Sequence, residues 1–65
     1  MLDYAIKSIR LAHADGGKVE AARKAAMWQR NCGFDAGKLL AAALDETRPI
    51  FGHPAARALA AEHNR

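Results

Sequence analysis

Five residues, Asn31-Cys32-Gly33-Phe34-Asp35, constrain this chain more than any others. A helix ending near Cys32 needs a left-handed residue next, and Gly33 adopts that conformation without a Cβ clash. Asp35 reads as the N-cap of a following helix, because its carboxylate can accept an orphan backbone N–H. Phe34 precedes that cap and Leu39 is the fourth helical residue after it. This is hydrophobic-staple spacing, which fixes the angle at which the second helix leaves the corner. Val19 to Leu44 therefore reads as two helices joined by a tight turn, an αα-hairpin or a helix-turn-helix corner.

At about 100° per residue, Ala21, Ala22, Ala25, Trp28 and Cys32 share one side of the first of these helices. Glu20, Arg23, Lys24, Met27, Arg30 and Asn31 take the other. On the second helix Ala36, Leu39, Leu40, Ala43 and Leu44 share a face, leaving Gly37, Lys38, Ala41, Ala42 and Asp45 for solvent. The many alanines allow close helix approach, with Trp28 as the bulky anchor.

Upstream, Asp3 to Ala14 is predicted as another helix, with Leu2, Ala5, Ile6, Ile9, Ala12 and His13 on its main apolar face. Asp3 suits the positive end of the helix dipole. Tyr4 and Leu11 lie nearly opposite, with Lys7 between them. The plainer expectation is that this helix is covered on both sides. The sharper one is that the pair forms a self-association or partner surface. Asp15-Gly16-Gly17 is predicted to end the helix as a plain connector. Gly-Gly-Lys lacks the spacing and the following Ser or Thr of a phosphate loop.

Downstream, the second corner helix is predicted to end near Glu46 or Thr47, with Arg48 offsetting the acids Asp45 and Glu46. Arg48 to His53 is expected as a loop whose Ile50 and Phe51 tuck into the core. Pro54 then opens a short helix running to about His63, with His53 as a weak cap. Sixty-five residues make one domain at most, 1–65, and its core is thin. The expected fold is thus all-α, with three main helices, a short C-terminal fourth and a central αα-hairpin.

Chemistry is hard to find in this chain. Cys32, His13, His53 and His63 show no ligand spacing, so no metal or cofactor is expected. Cys32 reads as a buried structural thiol and His13 as a partly buried core histidine. Asp45 and Glu46 are sequence neighbours, so they point to different helix faces. These features point away from an enzyme. A single cysteine excludes an internal disulfide and fits a reducing, cytoplasmic setting. No secretory signal is visible, and no apolar run reaches membrane-spanning length.

The net charge of +3 permits an acidic or nucleic-acid partner without requiring one. A base-reading helix should carry polar and basic side chains. The second corner helix offers only Lys38 and Asp45 on its open face. Lys7, Arg10, Arg23, Lys24 and Arg30 would suit phosphate contacts instead. Arg23 and Lys24 are partly occupied by Glu20, whereas Arg30 has no helical partner. Met27 among these cations suits either an adaptable contact surface or packing under the terminal segment. Two functions follow as expectations. The first is a protein-interaction module, with another protein or its own copy as partner, using Tyr4, Lys7, Leu11, Met27 and Arg30. The second is a small basic nucleic-acid-binding regulator using Lys7, Arg10, Arg23, Lys24 and Arg30.

Overall fold

The corner folds as its residues dictate. Gly33 has φ 77° and ψ 11°, and its N–H donates to the Gln29 carbonyl at 2.9 Å. Asp35 Oδ1 accepts the Lys38 N–H at 3.0 Å. Gln29 Oε1 takes the Ala36 N–H at 2.8 Å, so two orphan donors of the second helix are satisfied by side chains from opposite sides of the turn. Phe34 and Leu39 are both buried. A Cβ built on Gly33 meets nothing within 4 Å. Gly33→Ala should therefore cost only the backbone strain of the left-handed conformation, about 1 kcal/mol. A urea melt checks this, and an unchanged midpoint would contradict it.

The structure, a computed structural model, describes residues 1–63. Among them are three helices and no strand: α1 (Leu2–Cys32), α2 (Ala36–Leu44) and α3 (Pro54–His63). α1 consists of two arms, 2–16 and 18–32, that meet at Gly17 (φ 73°, ψ −162°). The predicted Asp15-Gly16-Gly17 connector is thus a single residue. Gly16 stays helical, because the glycine-only conformation of Gly17 redirects the chain unaided. Asp15 consequently sits on the N-terminal arm.

α2 packs against both α1 and α3. The buried apolar residues form one cluster: Leu2, Ala5, Ile6 and Ile9 from the first arm, Ala21, Ala25 and Trp28 from the second, Phe34 at the corner, Leu39, Ala42 and Ala43 from α2, and Ala56 and Leu59 from α3. Six of these are alanines at 0% exposure, which lets helix backbones approach closely. The Cα radius of gyration, 10.5 Å, matches the roughly 11 Å typical of a chain this long despite the small side chains.

Several placements differ from the sequence expectation. Ala22 of α1 is exposed, whereas Ala42 is buried because α2 lies between two neighbours and buries a broader arc than one apolar stripe. α2 stops at Leu44, short of Glu46, and Leu44 is itself exposed. Ile50 is half-buried against the core, but Phe51 stays 43% exposed. Cys32 is half-buried rather than buried.

Arginines hold the segment after α2. Arg10 Nε donates to the Ala43 carbonyl at 3.0 Å, and its Nη2 donates to the Asp45 and Arg48 carbonyls, each at 3.3 Å. Arg48 Nη1 donates to the Gly52 carbonyl at 3.4 Å, and Arg57 Nε to the Phe51 carbonyl at 3.3 Å. The Ala43 carbonyl in the last turn of α2 and the carbonyls of the loop that follows are thus met by guanidinium groups. Arg48 Nε also lies 3.2 Å from Asp45 Oδ2, offsetting the acid as anticipated. The Thr47 hydroxyl donates to Asp45 Oδ1 and, with Arg48 beside it, holds the Asp45 carboxyl below its usual range. α3 then starts at Pro54, and His53 Nδ1 accepts the Ala55 N–H at 3.0 Å, the cap expected of it. Lys38 donates to Glu62, tying α2 to α3 and raising the lysine's pKa.

Candidate functional site

The two arms of α1 bury their inner faces against α2 and leave a groove of about 450 Å³. Tyr4, Ser8, Leu11, Ala12 and Asp15 form one wall, and Glu20 and Lys24 the other. The first wall follows helical periodicity, with positions 4, 8, 11, 12 and 15 on one side of the arm. Two observations give this groove its character. Tyr4 is 64% exposed and Leu11 71% exposed, so no element of the described chain covers the second apolar face. The plainer expectation, a helix covered on both sides, does not hold.

Beneath Tyr4 the groove is rigidly supported. The Tyr4 ring meets the Trp28 ring edge-on, with centroids 5.7 Å apart and planes at 73°. Trp28 is buried, and its indole N–H donates to Ser8 Oγ at 3.1 Å. This bond ties the two arms together through Ser8, a residue of the groove wall, and gives a partner to the one polar atom of the indole. Met27 is half-buried against the core and lines an adjoining hollow of about 210 Å³ with Glu20, Arg23 and Lys24. Met27 thus packs partly inward while one side of it stays on the surface among Glu20, Arg23 and Lys24.

The cationic residues divide into two groups. Arg10 is half-buried with its donors on backbone carbonyls, and Arg23 Nη1 lies 3.2 Å from Glu20 Oε1. Lys7, Lys24 and Arg30 have no carboxylate within 4.0 Å among the described residues. Glu20 thus pairs with Arg23 and leaves Lys24 lining the groove. Lys7 and Arg30 are exposed on the two arms. The structure brings Tyr4 and Leu11 together at the groove and places Met27 in the hollow beside it.

Sequence reasoning missed Ser8, Asp15 and the groove side of Lys24. The i, i+4, i+7, i+11 spacing of Tyr4, Ser8, Leu11 and Asp15 carried the signal, but Asp15 was assigned to a turn. A second hollow of about 310 Å³ lies between Met1, Leu2 and Asp3 at the start of α1 and Phe51, Ala60 and His63. There the N-terminal ammonium, 3.4 Å from Asp3 Oδ1, lowers the carboxyl pKa. The His63 ring lies on Phe34, with centroids 4.2 Å apart.

Among the described residues no three His, Cys, Asp or Glu side chains come together as a metal-binding group. No described helix is long and apolar enough to cross a membrane. In comparisons with known proteins, no family model, curated protein or solved structure matches the chain.

Proposed function

We propose that this chain is a non-catalytic protein-interaction module, an inhibitor, adaptor or complex subunit, that binds its partner through the open face of α1. The observation that carries it is the exposure of Tyr4 and Leu11 along one groove, whose wall residue Ser8 is fixed by its bond to Trp28. Exposed aromatic and apolar side chains on rigid support are what interfaces use as anchors, because little entropy is lost on docking. Lys7 and Arg30 add charged edges to this surface, and Met27 an adaptable contact. The corner between the second arm and α2 acts in this scheme as a central αα-hairpin, and α3 as a short buttress. The single Cys32 is consistent with work in a reducing, cytoplasmic setting without a metal or cofactor.

Tyr4→Ala and Met27→Ala should each weaken the complex by roughly tenfold or more while leaving the helical circular dichroism unchanged. Retained affinity in both variants would reject the surface. A basic nucleic-acid-binding regulator is the alternative. It loses ground because Arg10 is engaged by three carbonyls and Arg23 by Glu20, leaving Lys7, Lys24 and Arg30 of its five cations. Trp28 anisotropy with mixed-sequence DNA and RNA decides it. Tight binding that falls steeply with salt would favour that alternative.

A further inference from the structure

We infer that the partner of this face is a second copy of the same chain, crossing the N-terminal arm of α1 antiparallel about a two-fold axis at Leu11. The inference rests on the interaction role proposed above and adds the identity of the partner. Lys7, Leu11 and Asp15 stand at i, i+4 and i+8, so they form one continuous ridge along the helix. All three are exposed. Lys7 and Asp15 lie about 6 Å along the axis on either side of Leu11.

Helices most often pack with such i±4 ridges interdigitating, each lying in the groove beside a ridge of the other, with axes crossing at about −50°. An isologous two-fold contact requires a surface complementary to itself, with the residue on the axis meeting its own copy. Centred at Leu11, the ridge Lys7-Leu11-Asp15 lies alongside Asp15-Leu11-Lys7 of the second copy. Leucine meets leucine in the middle, and lysine meets aspartate at each end. Centring on Tyr4 would run the second copy past the start of the helix. Centring on Asp15 would oppose two aspartates and reach the Gly17 break. Among exposed apolar residues of this arm, Leu11 is thus the one whose flanks match themselves.

Among the described residues Lys7 and Asp15 have no carboxylate or cation within 4.0 Å, and Lys7 acts on Asp3 one turn away only at longer range. The groove beside Leu11, walled by Glu20 and Lys24, leaves room for the incoming leucine. A single helix crossing buries an area at the small end of specific interfaces, so the dimer is weak, with a dissociation constant on the order of 10–100 μM.

The test is sedimentation equilibrium of the full chain at concentrations from about 10 μM to about 1 mM, bracketing that constant. The wild-type chain is expected to be a monomer–dimer mixture. Lys7→Asp alone and Asp15→Lys alone should each weaken association by roughly tenfold or more, because symmetry turns two pairs repulsive at once. The double charge swap should restore association to within about threefold of wild type. All three substitutions are at exposed positions, so circular dichroism should stay helical. A chain monomeric throughout, or a dimer indifferent to the single changes, overturns the inference. So does a double swap that fails to rescue. If the chain is monomeric but Tyr4→Ala still disrupts a complex with another protein, self-association alone is wrong. If a dimer forms and is indifferent to Tyr4, Leu11 and Met27 as well, the interaction face falls with it.

Discussion

Phe34→Ala is expected to unfold a large fraction of the molecules at 25 °C. Phe34 is 1% exposed and sits where all three helices meet. Its ring centroid is 6.5 Å from that of Trp28 on α1 and 4.2 Å from that of His63 on α3, and the residue stands at staple spacing to Leu39 of α2. Truncating a buried phenylalanine costs about 3–5 kcal/mol, from lost apolar transfer and the cavity left behind. A chain of this length has only about 3–10 kcal/mol of total stability. The six fully buried alanines around the core have no long side chains with which to fill the gap. A thermal melt followed by far-UV circular dichroism should show a collapsed or absent transition. Phe34→Leu, which retains most of the volume, should cost less than half as much. A Phe34→Ala protein melting near the wild-type temperature would show that the corner is not where the helices are locked together.

Arg10→Met should be the next most damaging change, although Arg10 belongs to a polar surface by its sequence character. Methionine keeps the length of the side chain and removes the guanidinium. Three carbonyls, of Ala43, Asp45 and Arg48, then lose a charged donor where the chain leaves α2. Hydrogen bonds from a charged group contribute about 1.5–3 kcal/mol where they are partly buried, and solvent reaching the Arg48 carbonyl keeps the expected loss at about 2 kcal/mol. Arg10→Lys distinguishes geometry from charge. A lysine ammonium cannot present the fork that meets carbonyls on different sides, so it should recover less than half of the loss. Full recovery by lysine would mean that only a positive charge is needed there. Amide exchange would add a second signature, with the 45–53 segment exchanging faster in the variant while the corner at Gly33 stays protected.

These two residues also mark what the sequence makes legible. The corner could be read because its rules are local. A left-handed glycine, an aspartate cap and a staple each involve residues at most a few positions apart, and each is present. The inner face of the first arm, Leu2, Ala5, Ile6 and Ile9, could be read from periodicity for the same reason. Arg10 could not, because its acceptors lie 33 to 38 residues away and are backbone carbonyls, which leave no trace in side-chain identity. The Gln29 contact to Ala36 and the Trp28 contact to Ser8 were similarly invisible. Tyr4 and Leu11 formed a visible second apolar face, but only the arrangement of the other helices shows that nothing in the described chain covers it. The open face of α2 was misassigned at Ala42 because a helix with two neighbours has no single buried stripe.

The joint at Gly17 has a consequence for handedness. At φ 73° and ψ −162° its backbone is closed to ordinary side chains, yet the space around it is open, with nothing within 4 Å of a built Cβ. The obstacle is chirality rather than crowding. With both signs reversed these angles fall in the extended region that L-residues occupy without strain, so the observed angles are the ones a mirror-image residue prefers. A D-amino acid there would meet neither obstacle. The bend between the two arms is thus a position at which the molecule asks for a stereoisomer that ribosomal synthesis does not supply, and glycine, having no hand of its own, serves in its place.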